Sequence, residues 1–190
     1  FLNLFMAYIE TVDYEDAKGK LKEVYDHLIK TRGKLAELHK IQSLDPEGVI
    51  RHMDLYVHLM YGKSPLNREQ REMIGVVVSI CNSCMYCVKH HSEALNHFWK
   101  DSKRLGLFLR DYTKAGLSDQ DLLLCLLSEQ LTIKPAFNGK EELIRRIKDN
   151  GLDDRAVLDA HMIISYFNFV NRLVVGLGVD GDTSENGGYQ

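Results

Sequence analysis

The placement of the prolines is the strongest constraint on how this chain folds. Only three occur in 190 residues, Pro46, Pro65 and Pro135, and each stands where an apolar helical pattern begins or ends. Proline is excluded from helix interiors because it lacks an N–H and clashes with the preceding turn. Asp45-Pro46 reads as an N-cap with proline at the first helical position, opening a helix that runs to about Tyr61 and stops at Gly62. Residues 64–67 form a turn. Asn67 is the expected cap of the next helix, and Gln70 completes a capping box. That helix continues through Glu72, Ile74, Val77 and Val78 to about Cys81.

The same logic covers most of the remaining chain. Ala17, Leu21, Val24, Leu28 and Ile29 recur at helical spacing between about Asp16 and Lys30, with Gly33 placed for a left-handed cap. Asn82-Ser83 interrupts, and a further helix is expected from there to Trp99. Ser118 and Asp121 form a capping pattern that opens residues 122–131. Other helices are expected at 140–148 and 154–175, the last ended by Gly176. No period-2 alternation emerges. Residues 76–80 are β-branched enough for a strand, but the cap at Asn67 and the apolar spacing favour helix. The expected class is all-α: one helical domain over 6–179, an extension or appended remnant at 1–5 before Met6, and a polar, glycine-rich tail at 180–190 expected to be disordered.

Composition removes several function classes. Lys and Arg total 24 against 27 Asp and Glu, a formal charge of −3, which leaves no electrostatic footprint for nucleic acid or an anionic membrane. No apolar run approaches the roughly 18 residues of a membrane span. Three of the four cysteines, Cys81, Cys84 and Cys87, lie within seven residues, whereas a disulfide scaffold spreads cysteines to close loops. The clustering points to reactive or metal-binding chemistry in a reducing, cytoplasmic compartment.

The informative stretch is 72–91. On one helix, Cys87 and His91 are i and i+4 and share a face, and Cys84 and Cys87 are i and i+3, near enough to bridge. Cys84 is expected in the first turn, where amide N–H groups and the helix dipole favour a thiolate. His91 exchanges protons near neutral pH, and Glu72 on the preceding helix is placed to orient it as the third member of a base–nucleophile chain. His91 at i+4 favours Cys87 as the attacking sulfur, while the helix terminus favours Cys84; the directional base tips the expectation to Cys87.

Blander readings stand beside this one. Cys84, Cys87 and His91 with Cys81 or His90 would supply four zinc ligands, yet structural zinc sites usually draw two pairs from separate segments and no second pair occurs. The cysteines could be inert and buried. Cys125, within the run LLLCLL, and Cys81 are read as structural. His90 lies roughly 100° around the helix from His91, at the surface or behind it. His27, His39, His52, His58 and His161 show no partner pattern. Tyr86 stands between the two cysteines, placed to shape access to them.

Glu72, eleven residues, Cys84-x-x-Cys87, three residues and His91 resemble the signature of the AhpD-like alkylhydroperoxidases, within the carboxymuconolactone decarboxylase superfamily. The chain is most similar to the peroxidase-related branch through the opening MAYI at Met6, LYVHLMYGKSPL at 55–66, VSICNSCMYC at 78–87 and YFNFVNRLVVGLGV at 166–179. The resemblance implies an all-helical fold assembled as trimers or hexamers. It implies a thiol peroxidase with Cys84 and Cys87 as redox pair and Glu72 and His91 as proton relay, needing no cofactor and no metal. A hydroperoxide would be the substrate and an external thiol or protein the reductant. The best-known members carry histidine where Tyr86 stands. True decarboxylases of the superfamily generally lack the cysteine pair, so its presence argues against lactone decarboxylation. The rival functions are a dithiol–disulfide relay between proteins and a non-enzymatic helical binding module with structural cysteines.

Overall fold

A computed structural model describes residues 7–179. The expectations for 1–5, Met6 and the tail 180–190 lie outside these described residues. Among the described residues all regular structure is helical. In chain order the helices are α1 (Gly19–Arg32), α2 (Glu37–Lys40), α3 (Pro46–Tyr61), α4 (Arg68–Cys81), α5 (Met85–Trp99), α6 (Ser102–Arg110), α7 (Asp119–Ile133), α8 (Lys140–Asp149) and α9 (Asp154–Gly176), with a 3-10 turn, Tyr112–Lys114, before α7.

The expected punctuation sets the boundaries. Asp45 accepts the Gly48 N–H at 3.0 Å ahead of Pro46. Asn67 accepts the Gln70 N–H at 2.8 Å, and Gln70 accepts the Asn67 N–H at 3.1 Å, closing the capping box. Ser118 and Asp153 cap α7 and α9 through the N–H groups of Asp121 and Ala156. Such caps are each worth about 1 kcal/mol. Gly33 takes the left-handed conformation expected of it, at φ 77°. Several boundaries shift by one to three residues. Helix α1 begins at Gly19, because the N–H groups of Asp16 and Ala17 are used in turns back to Asp13 and Tyr14. Helix α9 includes Gly176, and the left-handed residue is Gly178.

Two helices lack a counterpart in the sequence reading. Helix α2 is a single turn, too short to show a period, and α6 carries Gly106 in its interior, which weakens the helical signal. The β-branched residues 76–80 are helical, because both sides of α4 are covered. Helix α4 is the central element: residues 70–79 are all buried, and it packs on α5, α7 and α9. Val24, Met53, Ile74, Leu127, Ile163 and Phe167 belong to one core built from α1, α3, α4, α7 and α9. Met73, Val76, Val77, Leu95, Phe108 and Cys125 form a second core between α4, α5, α6 and α7.

Residues 166–170, which the sequence allows as either contact surface or core, divide unevenly. Tyr166, Phe167 and Val170 are buried in the main core, and Phe169 is half exposed. No helix among the described residues is long and apolar enough to cross a membrane.

Candidate active site

The site is made where α4 stops and α5 starts. Ser83 adopts the left-handed conformation at φ 55°. Its N–H donates to the Ile80 carbonyl at 2.9 Å, and the Cys84 N–H donates to the Ser79 carbonyl at 2.9 Å. These paired bonds are the Schellman arrangement that satisfies the last carbonyls of a helix. Cys84 is also the N-cap residue of α5, not part of its first turn as expected. One residue therefore ends one helix and opens the next. Its sulfur stays at the positive end of α5, where a thiolate is favoured.

That joint brings the two sulfurs together. Cys84 Sγ and Cys87 Sγ are 2.7 Å apart and hydrogen-bonded, with both cysteines free. They are almost wholly withdrawn from solvent, Cys84 1% and Cys87 3% exposed. Their acidities diverge. The hydrogen bond shared with Cys87 holds the Cys84 thiol below the ordinary range, against the opposing effect of burial. The same bond, together with burial and the charge on Cys84, pushes Cys87 well up; the Asn171 side chain opposes this only in part. Acidity thus falls on Cys84, whereas the spacing of His91 pointed to Cys87.

His91, one turn past Cys87 on α5, meets Glu72 from α4. Its Nδ1 donates to Glu72 Oε2 at 2.7 Å. Glu72 is fully buried. Its second oxygen is paired with Arg68, one turn earlier on α4. The His91 ring stands edge-on to Phe167 from α9, with centroids 4.5 Å apart. The structure therefore forms both the Glu72–His91 pair and the Cys84–Cys87 pair on the α4–α5 hairpin.

Several participants were not singled out in the sequence. Asn171 is buried, donates to Ser79 Oγ at 3.2 Å and accepts from Asn82 Nδ2 at 3.0 Å, so α9 grips the hairpin turn. Asn82 also donates to Asn168 Oδ1 at 3.1 Å. The asparagines of the NFVN segment carried the signal, since polar residues interrupt an otherwise apolar helix there. Arg71 is buried and donates to the carbonyls of Leu59, Gly62 and Leu66, fastening the α3–α4 turn beside Glu72.

Other histidine and cysteine expectations resolve individually. His90 is buried, with its ring 4.5 Å from that of Tyr86, because the α5 face it occupies is covered. His52 has partners after all: Tyr166 Oη at 2.7 Å and Gln42 Oε1 at 3.0 Å. Burial lowers its pKa from 6.5 to about 4. His39 Nδ1 accepts the Ala36 N–H, and His161 Nδ1 donates to the Val157 carbonyl. Cys125 is core, as expected, and burial raises its pKa. Cys81 is half-buried and pushed up to about 11. Among the described residues no group of three or more His, Cys, Asp and Glu is placed to hold a metal ion.

Residues 51–110, which contain Glu72, Cys84, Cys87 and His91, match the Carboxymuconolactone decarboxylase family. That match covers the α4–α5 hairpin and its flanks, and there the chain is similar to the carboxymuconolactone decarboxylase family. YdfG of Bacillus subtilis (strain 168) is 27% identical over 134 residues, 70% of this chain and 88% of YdfG. A peroxidase-related protein from Silicibacter sp. TM1040 superposes with a TM-score of 0.81 at 22% identity, covering 95% of each chain. An AhpD-core, peroxidase-related protein from Ralstonia eutropha JMP134 also gives 0.81, at 18% identity and 92% of each chain. The debrominase Bmp8, solved as a cysteine-to-alanine variant in complex with 2,3,4-tribromopyrrole, gives 0.76 at 16% identity, covering 96% of this chain and 93% of its own. At these identities the structures share the fold, and one fold hosts different chemistries.

Proposed function

We propose that this protein is an AhpD-like, thiol-dependent peroxidase that reduces a small hydroperoxide through Cys84 and Cys87. The observation that carries the proposal is the pair of free sulfurs 2.7 Å apart with acidities driven in opposite directions. Such a pair contains one thiolate to attack and one thiol to resolve. The Cys84 thiolate attacks the terminal oxygen of ROOH. The O–O bond breaks, the alkoxide leaves as ROH after taking a proton, and Cys84 becomes a sulfenic acid. Cys87, giving its proton to His91, attacks the Cys84 sulfur and expels hydroxide, which leaves as water once it takes that proton. The product is a Cys84–Cys87 disulfide, and two equivalents of an external thiol restore the dithiol. Glu72 steadies the imidazole by accepting from Nδ1, which leaves Nε2 as the nitrogen for proton exchange.

Burial discriminates between this reading and a protein-to-protein dithiol relay. A partner protein must bring its own sulfur into line with the one it attacks, and these sulfurs are 1% and 3% exposed. That burial weighs against direct attack by a folded partner and favours a small substrate. An antioxidant role in a reducing cytoplasm is consistent with this chemistry. Assembly into homo-oligomers is part of the proposal. It is supported by the half-exposed apolar side chains Leu158, Met162 and Phe169 on one face of α9, with Leu55 of α3 nearby.

The test is consumption of hydrogen peroxide and of organic hydroperoxides with a panel of thiol reductants, comparing wild type with Cys84→Ser and Cys87→Ser. Both variants should lose turnover. The Cys87→Ser protein should accumulate a trappable sulfenic acid on Cys84, whereas Cys84→Ser should accumulate none. Because a relative of this fold is a debrominase, a brominated pyrrole belongs in the same panel. Turnover of that compound with no peroxide consumption would replace the peroxidase reading.

A further inference from the structure

Glu72 presents a charge problem that its partner histidine does not solve. A buried carboxylate needs a counter-charge as well as hydrogen bonds. Its Oε2 is used by His91 Nδ1 at 2.7 Å, and the remaining oxygen, Oε1, pairs with Arg68 Nη2. The Glu72 side chain is 1% exposed and that of Arg68 22%, so the ion pair lies at the inner edge of the surface. Arg68 is itself held from two further directions. Its Nη1 donates to the Met60 carbonyl at 2.7 Å, in the last turn of α3, and its guanidinium lies 3.8 Å from the centroid of the Tyr61 ring. Tyr61 Oη in turn accepts from Arg32 Nη2 at 3.3 Å.

We infer that Arg68 is a positioning residue for the proton relay: with Tyr61 and the Met60 carbonyl as its seat, it fixes Glu72 as a carboxylate turned toward His91 and so keeps His91 free to take a proton from sulfur. The inference rests on the peroxidase reading above. Arg68, Glu72 and His91 thus form one hydrogen-bonded chain from the surface edge to the imidazole. Without the guanidinium, Glu72 Oε1 loses its partner and the carboxylate is no longer held toward His91 Nδ1. The imidazole then loses the contact that fixes which nitrogen faces the sulfurs.

Among the described residues, Arg68 is the cation bonded to Glu72, and the charged and polar groups on the neighbouring elements are engaged as follows. From α5 comes His91 itself. From α9 come Phe167, against His91, and Asp159, which is bonded to Arg155 and lies in the field of Arg71. From α7 come Asp121, bonded to Gln70, and Glu129, bonded to Tyr112. From α3 come the Met60 carbonyl and Tyr61. Next to α6, Glu69 is engaged by Trp99, over which Arg104 lies. Arg71 donates to three backbone carbonyls and keeps its charge, which lies in the field of Asp159 and Arg68, so it shares the region with Arg68 without bonding Glu72.

The experiment is the pH profile of peroxide-driven Cys84–Cys87 disulfide formation, with iodoacetamide alkylation as a second readout, in Arg68→Met, Arg68→Lys, Glu72→Gln, His91→Ala and the double variant Arg68→Met/Glu72→Gln. Arg68→Met should lower the rate roughly tenfold near pH 6.5, and the loss should shrink progressively as the medium becomes strongly alkaline and hydroxide takes over removal of the thiol proton. Arg68→Lys, which keeps the charge without the fork that reaches both Glu72 and Met60, should fall between it and wild type. In the Glu72→Gln background, Arg68→Met should add no further loss, because its effect passes through the carboxylate. A wild-type profile for Arg68→Met alongside shifted profiles for Glu72→Gln and His91→Ala would overturn the inference while leaving the relay standing. An equal loss in the Glu72→Gln background would also overturn it, by showing a structural effect. Wild-type profiles for Glu72→Gln and His91→Ala would remove the relay, and this inference with it. If Arg68→Met fails to fold, the Arg68→Lys profile decides alone, with its midpoint displaced upward or not.

Discussion

Glu72 and His91 belong to different helices, and the Nδ1–H···Oε2 bond between them, 2.7 Å long, is enclosed by protein on both sides. The pair determines which imidazole nitrogen is left for the sulfurs. His91→Ala should reduce thiolate-dependent oxidation at neutral pH by roughly 10²- to 10⁴-fold, the usual worth of general-base assistance, and by much less at alkaline pH. Glu72→Gln should show a smaller loss of the same form, since it orients the ring and exchanges no proton with sulfur. Stopped-flow oxidation from neutral to alkaline pH reads both, and superimposable profiles for wild type and His91→Ala would dismiss the relay.

Gly75 makes room for the ring that supports His91. A Cβ built there meets Phe167 Cζ at 2.8 Å and Cε2 at 2.9 Å. Gly75→Ala should gain about 1 kcal/mol of helix propensity and lose about 1–3 kcal/mol to overpacking, so the net sign is destabilising. Displacing Phe167 should also disturb His91. Thermal unfolding of Gly75→Ala, and of Gly75→Ala with Phe167→Leu, checks the mechanism. The second change should restore part of the stability, and a stabilised single variant would contradict it.

His52 contributes a pH dependence whose sign follows from its burial. Its folded pKa, about 4, lies below the ordinary 6.5. Between those values the unfolded chain binds a proton that the folded protein does not. Stability conferred by neutral His52 is therefore complete above about pH 6.5 and is lost as pH falls toward 4. The full difference corresponds to about 3 kcal/mol. Urea unfolding at neutral pH and at a pH just above 4 should show the decline, and His52→Gln should flatten it. An unchanged slope in that variant would assign the acid sensitivity to other groups.

Ser83 carries a conformational cost at the helix joint. Its φ of 55° disfavours any residue with a Cβ, and the side chain is exposed. Ser83→Gly should therefore stabilise the protein by about 1 kcal/mol, and Ser83→Val should destabilise it by a comparable amount. Melting temperatures of the two variants should move in opposite directions. Movement of both in the same direction would mean that the turn is held by something other than this backbone preference.

How much of this is legible in the sequence depends on distance along the chain. Asn67 with Gln70, Asp45 with Pro46, and Gly33 are local chemistry, and each produces the helix end expected of it. The offsets among Glu72, Cys84, Cys87 and His91 are legible because helical spacing converts directly into shared faces. Two features are not. The acidities of Cys84 and Cys87 depend on which sulfur donates to the other and on Asn171, a contact from another helix. The partners of His52 come from Gln42 and from Tyr166, 114 residues away, and nothing in the sequence around His52 points to either.

The clamp that α9 places on the hairpin turn also orders how the molecule comes together and comes apart. The Glu72–His91 contact closes a loop of 19 residues, and the Ser79–Asn171 contact closes one of 92. Closing the longer loop costs about 1.4 kcal/mol more in chain entropy. The hairpin is thus the easier unit to assemble, and the expected outcome is that α9 releases before the hairpin under mild denaturation. A chain loosened in that way would still carry its proton pair and its dithiol, now uncovered to molecules far larger than a peroxide. Native-state hydrogen exchange locates the order of release, and earlier exchange in α4 than in α9 would reverse it.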